Sequence, residues 1–253
     1  MAAALIFDFE SDSELTGNEQ YQVQVRLVDD GMDLIEFDVH LLGIPVPHKD
    51  GKEVIAKWRL LDPQFSNAQT LYTDSNGLEM QKRILNYRPT WTLNTDMTVS
   101  SNYYPINSAI AIRDTVSTDS TVQMTVMNDR AQGGSSIDNG SIELMQNRRL
   151  LYDDDRGLDE PLDETQSNGK GIAVNAVYRV QLFDASDPSR SMQRRAQLVI
   201  DEPIQYFFAT SFTHGTEQIV RRVFDGESAT VQEYLDAFAK VGELKVHLFP
   251  EAD

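Results

Sequence analysis

The chain has 253 residues, 40% apolar and 25% charged, which is enough for one large core or two small ones and argues against disorder. Its 40 Asp and Glu against 22 Lys and Arg leave a net charge of −18. Such a chain repels phosphate backbones and anionic membrane surfaces, so no nucleic acid and no membrane is expected as a partner. Without cysteine there are no disulfides, thiolate zinc sites or thiol nucleophiles, and the compartment stays open.

The first segment, Met1-Ala2-Ala3-Ala4-Leu5-Ile6-Phe7, turns acidic at Asp8. It is too short for a signal h-region and lacks a basic flank, so it reads as a short strand. No later run approaches the roughly 20 apolar residues of a spanning helix. From there the dominant period is two. Tyr21, Val23, Val25 and Leu27 alternate with Gln22, Gln24 and Arg26, and Ile35, Phe37, Val39 and Leu41 with Glu36, Asp38 and His40. Alternation turns one face to a core and the other to water. His40 is thereby expected at a solvent-facing position. His48-Lys49-Asp50 spells a metal-type H-x-D, but Gly51 follows it between two strands, which favours a hairpin turn. Val54, Ala56, Trp58 and Leu60 resume the alternation.

Asn76-Gly77 supplies the positive φ of a tight hairpin, as do Asp30-Gly31, Asn139-Gly140 and Asn168-Gly169. Two aromatic clusters follow, Tyr87-Arg88-Pro89-Thr90-Trp91 and Asn102-Tyr103-Tyr104-Pro105. Aromatic faces beside Arg and Asn hold sugar rings, and they also fill sandwich cores; the core reading is preferred. Val122, Met124 and Val126 form another alternating strand. The Gly-rich stretch Asp129 to Ser136 lacks a Walker lysine and opens no helix, so it is expected to be a shaped turn.

Ser141 to Asn147 looks strand-like and ends in Arg148 and Arg149. Neighbours on a strand face opposite ways, so one arginine is expected inward and the other outward. The bland alternative is a salt bridge to Asp153, Asp154 or Asp155. That acidic run itself reads as a solvated loop. The stretch 159–171 is acidic and polar, either a linker or a long surface loop. His214 and His247 find no company at metal-ligand spacing, so no metal site is expected in this chain. Near the end, Thr230 and Glu233 make a capping box. Val231, Tyr234, Leu235, Phe238 and Val241 follow at helical spacing up to Gly242. Leu244, Val246 and Leu248 suggest a last strand. The expectation is a mainly β, antiparallel sandwich over 1–253, with one short helix near the C-terminus.

Six stretches in order carry a resemblance: Leu71 to Gly77, Tyr87 to Trp91, Asn102 to Pro105, Asp129 to Ser136, Asn147 to Leu151 and Asp153 to Leu158. Together they resemble the region after the catalytic barrel in class II α-mannosidases of glycoside hydrolase family 38, the lysosomal-type branch above all. Gly43 to Pro47 and Gly51 to Ile55 fit as well, and the likeness fades from about residue 170. The resemblance implies a β-supersandwich similar to galactose mutarotase. It implies a parent enzyme that hydrolyses α-mannosides in N-glycans with a zinc ion and a nucleophile, both in a barrel that these residues do not include. By that reading the chain is an internal fragment, inactive alone, with no cofactor of its own, partnered by the parent's catalytic barrel and by mannose-containing glycans. A lysosomal or secretory location is implied for the parent. One arginine of the Asn-Arg-Arg-Leu motif, Arg149 ahead of Arg148, is implied to reach the sugar site. The alternative is a free-standing module that binds glycans or a protein. Asn139-Gly140-Ser141 is also a glycosylation sequon.

Overall fold

The computed structural model describes residues 21–28, 33–46, 51–115, 121–157, 159–185 and 193–202. These elements lie in one compact unit, Met1–Asp201, and a second unit spans Glu202–Asp253. The expected helix at 230–241, the strands at 1–7 and 244–248, the turn at Asp30-Gly31, and His48, His214 and His247 lie outside the described residues.

The alternating segments become strands β1 (Tyr21–Val28), β2 (Leu34–Leu41) and β3 (Lys52–Arg59). The chain continues through β4 (Thr70–Ser75), β5 (Glu79–Ile84), β6 (Tyr104–Ile106) and β7 (Ala109–Arg113). It closes with β8 (Val122–Asn128), β9 (Gln132–Ser135), β10 (Ser141–Arg149), β11 (Val174–Asp184) and helix α1 (Gln193–Asp201). One sheet runs β1-β2-β11-β8-β7-β4-β5 and the other β3-β10-β9-β6, with every pairing antiparallel. The architecture is the antiparallel β sandwich that the period of two implies.

The core lies between the sheets. Phe37, Met124, Val126, Tyr178 and Val180 come from the larger sheet; Trp58, Tyr104, Ile106, Ile142 and Leu144 come from the smaller one. Trp58 meets Tyr178 edge-on at 4.9 Å and Phe37 at 6.1 Å, so one indole joins the two sheets. Burying each such side chain contributes about 2–3 kcal/mol. On β1 the same alternation is present, yet Val25 and Leu27 are exposed. The four-stranded sheet is too narrow to cover the inner face of a seven-stranded one out to its border.

Two segments depart from expectation. The Gly-rich stretch is not merely a turn, because Gln132–Ser135 forms the strand between β10 and β6. A Cβ at Gly133 would lie 2.6 Å from the Met145 sulfur, and one at Gly134 would lie 2.6 Å from Leu144 Cδ2. The glycines let neighbouring side chains close over this strand. Helix α1 has no counterpart among the elements the apolar pattern implies. Its buried residues are Gln193, Ala196 and Gln197, while Leu198 and Val199 are exposed. The buried stripe is mixed: Ala196 packs with Leu34, Ala109 and Met127, while Gln193 Oε1 accepts from Gln123 Nε2 at 2.8 Å and Gln197 Nε2 donates to Ser108 Oγ at 3.0 Å. A search for apolar periodicity passes over such a helix.

Candidate functional site

The two arginines end β10, and a bulge decides where each points. Met145 pairs with Ile55 and Asn147 with Val54, so Gln146 is the extra residue. The bulge reverses the alternation that Ile142 and Leu144 begin. Arg148 therefore lies across from Glu53 on the outward face, and its Nε donates to Glu53 Oε2 at 2.6 Å. Arg149 lies on the other face, as adjacency on a strand requires, and its Nη1 donates to the Ile44 carbonyl at 2.8 Å. Its Nε is buried without a partner. The expected bridge to Asp153–Asp155 is not formed, because Glu53 is nearer on the neighbouring strand. Asp153 and Asp154 instead accept from the backbone N–H of Asp155 and Arg156, at 2.9 and 3.0 Å, and shape their own turn.

Around Arg149 the backbone is crowded. A Cβ at Gly43 would lie 1.9 Å from the Gly171 carbonyl oxygen, and one at Gly171 would lie 3.3 Å from Arg149 Cδ. Asn147 Nδ2 donates to Ile172 O at 3.2 Å. The segment 159–171, which runs from β10 toward β11, is tied in by Leu150 N to Leu162 O at 3.0 Å and by Gln166 Nε2 to Gly171 O at 2.7 Å. The result is a shallow depression lined by Ile44, Arg148, Arg149, Leu162, Glu164 and Ile172. Leu42, Leu162 and Ile172 stand exposed at this end. Chemically the depression offers a fixed guanidinium with spare donors in a partly apolar rim, fit for hydroxyls or a carboxylate.

The aromatic clusters divide. Tyr104 is buried, but Tyr87 is 54% and Trp91 63% exposed, against the core expectation for both. The chain from Tyr87 to Ser101 forms no strand and turns these rings to solvent. Tyr104 carries two arginines, with Arg88 Cζ 4.3 Å and Arg83 Cζ 4.8 Å from its ring centroid. Burial pushes the Tyr104 hydroxyl up, while Arg88 and Arg83 pull it down. No local signal in the sequence marks Arg83, because its partner lies twenty-one residues on in the other sheet. Tyr103 donates to Glu143 Oε1 at 2.6 Å; burial and that carboxylate raise its pKa and keep it protonated.

Asp74 and Asn76 shape turns as expected. Asp74 Oδ1 accepts from the backbone N–H of Asn107, Ser108 and Ala109 at 2.8, 3.1 and 3.2 Å, and Oδ2 accepts from Gly77 N at 2.8 Å. Asn139 of the sequon is engaged as well: Nδ2 donates to Phe65 O at 2.9 Å and Oδ1 accepts from Asn67 N at 3.1 Å. His40 is half-buried rather than simply solvent-facing, with Nδ1 2.9 Å from Asn175 Oδ1 and Nε2 3.2 Å from Asp38 Oδ1. Among the described residues no three His, Asp or Glu converge as metal ligands, so the zinc implied by the resemblance finds no fitting donors among them. Among the same residues no helix is long and apolar enough to cross a membrane.

Residues 6–156 match the model of the glycosyl hydrolases family 38 C-terminal domain. The lysosomal alpha-mannosidase of Mus musculus is 48% identical over 156 residues, covering 61% of this chain and 15% of that protein. The lysosomal alpha-mannosidase of Homo sapiens is 46% identical over 151 residues, covering 60% of this chain and 14% of that protein. The protein of that name in Dictyostelium discoideum is 32% identical over 179 residues, covering 71% of this chain and 16% of that protein. The chain thus spans a small part of the length of the relatives it matches.

Proposed function

We propose a function from one premise: this chain belongs to glycosyl hydrolase family 38, as a C-terminal domain of its α-mannosidases. The domain is non-catalytic by itself. It buttresses the catalytic barrel of a parent α-mannosidase and lends Arg149 to the mannose site. The parent hydrolyses α-mannosides of N-glycans in a lysosomal or secretory compartment, with the nucleophile and zinc held outside these residues.

The observation that carries this reading is the contrast between the two arginines. Arg148 is committed to Glu53, whereas Arg149 is anchored through Nη1 to Ile44 O, and its Nη2 has no acceptor among the described residues. A guanidinium so anchored needs little further ordering to meet a sugar hydroxyl or a catalytic carboxylate. The exposed Leu42, Leu162 and Ile172 beside it suit the contact with a barrel.

The test uses the intact parent enzyme and an aryl α-mannoside. Arg149→Gln is expected to lower kcat/KM by about 100-fold, equivalent to ~3 kcal/mol of lost charge-assisted bonding, with Tm little changed. Arg148→Gln is expected to stay within about threefold, since an exposed ion pair contributes at most ~1 kcal/mol. Wild-type rates in Arg149→Gln, or a loss confined to Arg148→Gln, would reject the assignment.

A second reading, a free-standing glycan- or protein-binding module, is favoured by the exposure of Tyr87 and Trp91. The size of the native polypeptide in its source cells separates the two. A species several times larger than 28.6 kDa supports the α-mannosidase domain. A species of that mass which binds mannose-rich glycans, and loses them on Trp91→Ala, supports the module.

A further inference from the structure

On the far strand of the smaller sheet from β3 and the Arg148–Glu53 pair, Arg83 and Arg88 both lie against Tyr104. What sets the pair apart is the shared ring, since no other aromatic side chain among the described residues carries two guanidiniums. Arg26, Arg130, Arg148 and Arg179 each have a carboxylate partner. Among the described residues Arg83 and Arg88 have none. Arg88 is held instead by neutral oxygens: Nη2 donates to Ser101 O at 2.8 Å, and Nη1 donates to Tyr87 O at 3.2 Å and to the Tyr104 hydroxyl. Arg83 Nε donates to Thr73 Oγ1 at 3.1 Å. These bonds fix both stems without neutralising either charge. Among the described residues both Arg83 terminal nitrogens and Arg88 Nε have no acceptor.

We propose that Arg83 and Arg88, braced on the ring of Tyr104, form a binding site for a doubly charged oxyanion, a phosphate or sulfate group. Two half-buried like charges, each within 5 Å of one ring centroid, repel each other, and a dianion taken up by their free N–H donors relieves that repulsion. Both guanidiniums are already ordered, so binding costs little side-chain entropy. A singly charged carboxylate neutralises only half of the pair. Free ions and phosphate or sulfate esters of sugars share this chemistry.

The test is calorimetric titration of the 253-residue chain at constant ionic strength with inorganic phosphate, sulfate and acetate, followed in parallel by the NMR signals of the arginine Nε–H groups. Saturable binding of phosphate and sulfate is expected, with Kd on the order of 1 mM, and acetate is expected to bind at least about tenfold more weakly. Arg83→Gln, which leaves the Arg88 clamp in place, is expected to weaken phosphate about tenfold or more, while Arg26→Gln leaves it unchanged. A hexose 6-phosphate set against the free hexose separates the sources. Tighter binding of the ester than of inorganic phosphate assigns a sugar ester, and equal binding assigns the free ion. Linear, non-saturating heats with phosphate and sulfate, or saturation indifferent to Arg83→Gln in a folded variant, would overturn the site.

Discussion

Asp74 shows how one side chain can organise a region. Its carboxylate takes four backbone N–H donors, three of them from consecutive residues Asn107 to Ala109. These donors sit at the entrance to β7. Asp74→Ala leaves them unsatisfied in a largely buried place. The expected cost is about 3 kcal/mol, read as a lower urea midpoint at unchanged m. A midpoint within error of the parent chain would show that water replaces the carboxylate. The motif around Asp74 and Asn76 was legible as a turn, because Asn-Gly carries its own backbone preference. The three-donor partnership was not, because it joins residues more than thirty positions apart. Arg149 repeats the lesson. Adjacency placed the two arginines on opposite faces, but the bulge at Gln146 chose which went inward, and nothing in Met145-Gln146-Asn147 announces a bulge.

At the scale of elements, legibility followed apolar alternation. β2, β3, β8 and β10 bury one face against a greasy core and were visible for that reason. β9 and α1 were not, since one is built on glycine and the other buries two glutamines around a single alanine. β9 can be probed through its glycine. Gly134→Ala places a methyl 2.6 Å from Leu144 Cδ2 and 2.8 Å from Ile106 Cγ1. Leu144 Cδ2 is a side-chain tip that can rotate, whereas Ile106 Cγ1 and the Glu143 carbonyl oxygen at 3.2 Å give less, so a loss of about 1–3 kcal/mol is expected, with the fold retained. Thermal unfolding of the variant checks this. An unchanged or raised Tm would mean that the two sheets have slack at their centre.

For the whole molecule, acidity raises the matter of pH. Lys57 and its hydrogen bond hold Asp138 below the ordinary carboxylate value of 3.8. Burial works against Asp129, but Arg130 and the Val177 N–H outweigh it and hold it below 3.8 too. A carboxylate lowered on folding stabilises the native state above its unfolded pKa, and that contribution is lost as pH falls through the folded one. Burial raises Tyr178 from 10.0 to about 12, so its contribution is complete below 10.0 and fades as pH climbs toward 12. From these groups a stability plateau is expected from about pH 5 to pH 9, with decline on either side, measured by urea denaturation across pH. A marked fall between pH 7 and pH 5 would contradict it and would sit poorly with service in an acidic compartment.

The contact between Gly43 and Gly171 has a genetic consequence. At Gly134 a substitution first meets side-chain carbons of Leu144 and Ile106, and its harm grades with the size of the newcomer. At Gly43 the first atom of any side chain already overlaps a carbonyl oxygen. Every replacement carries that atom, so alanine is as intolerable there as tryptophan. Missense changes at this codon should therefore sort as all-or-none, and they should strike the setting of Arg149, well away from the hydrophobic interior where such severity is usually sought.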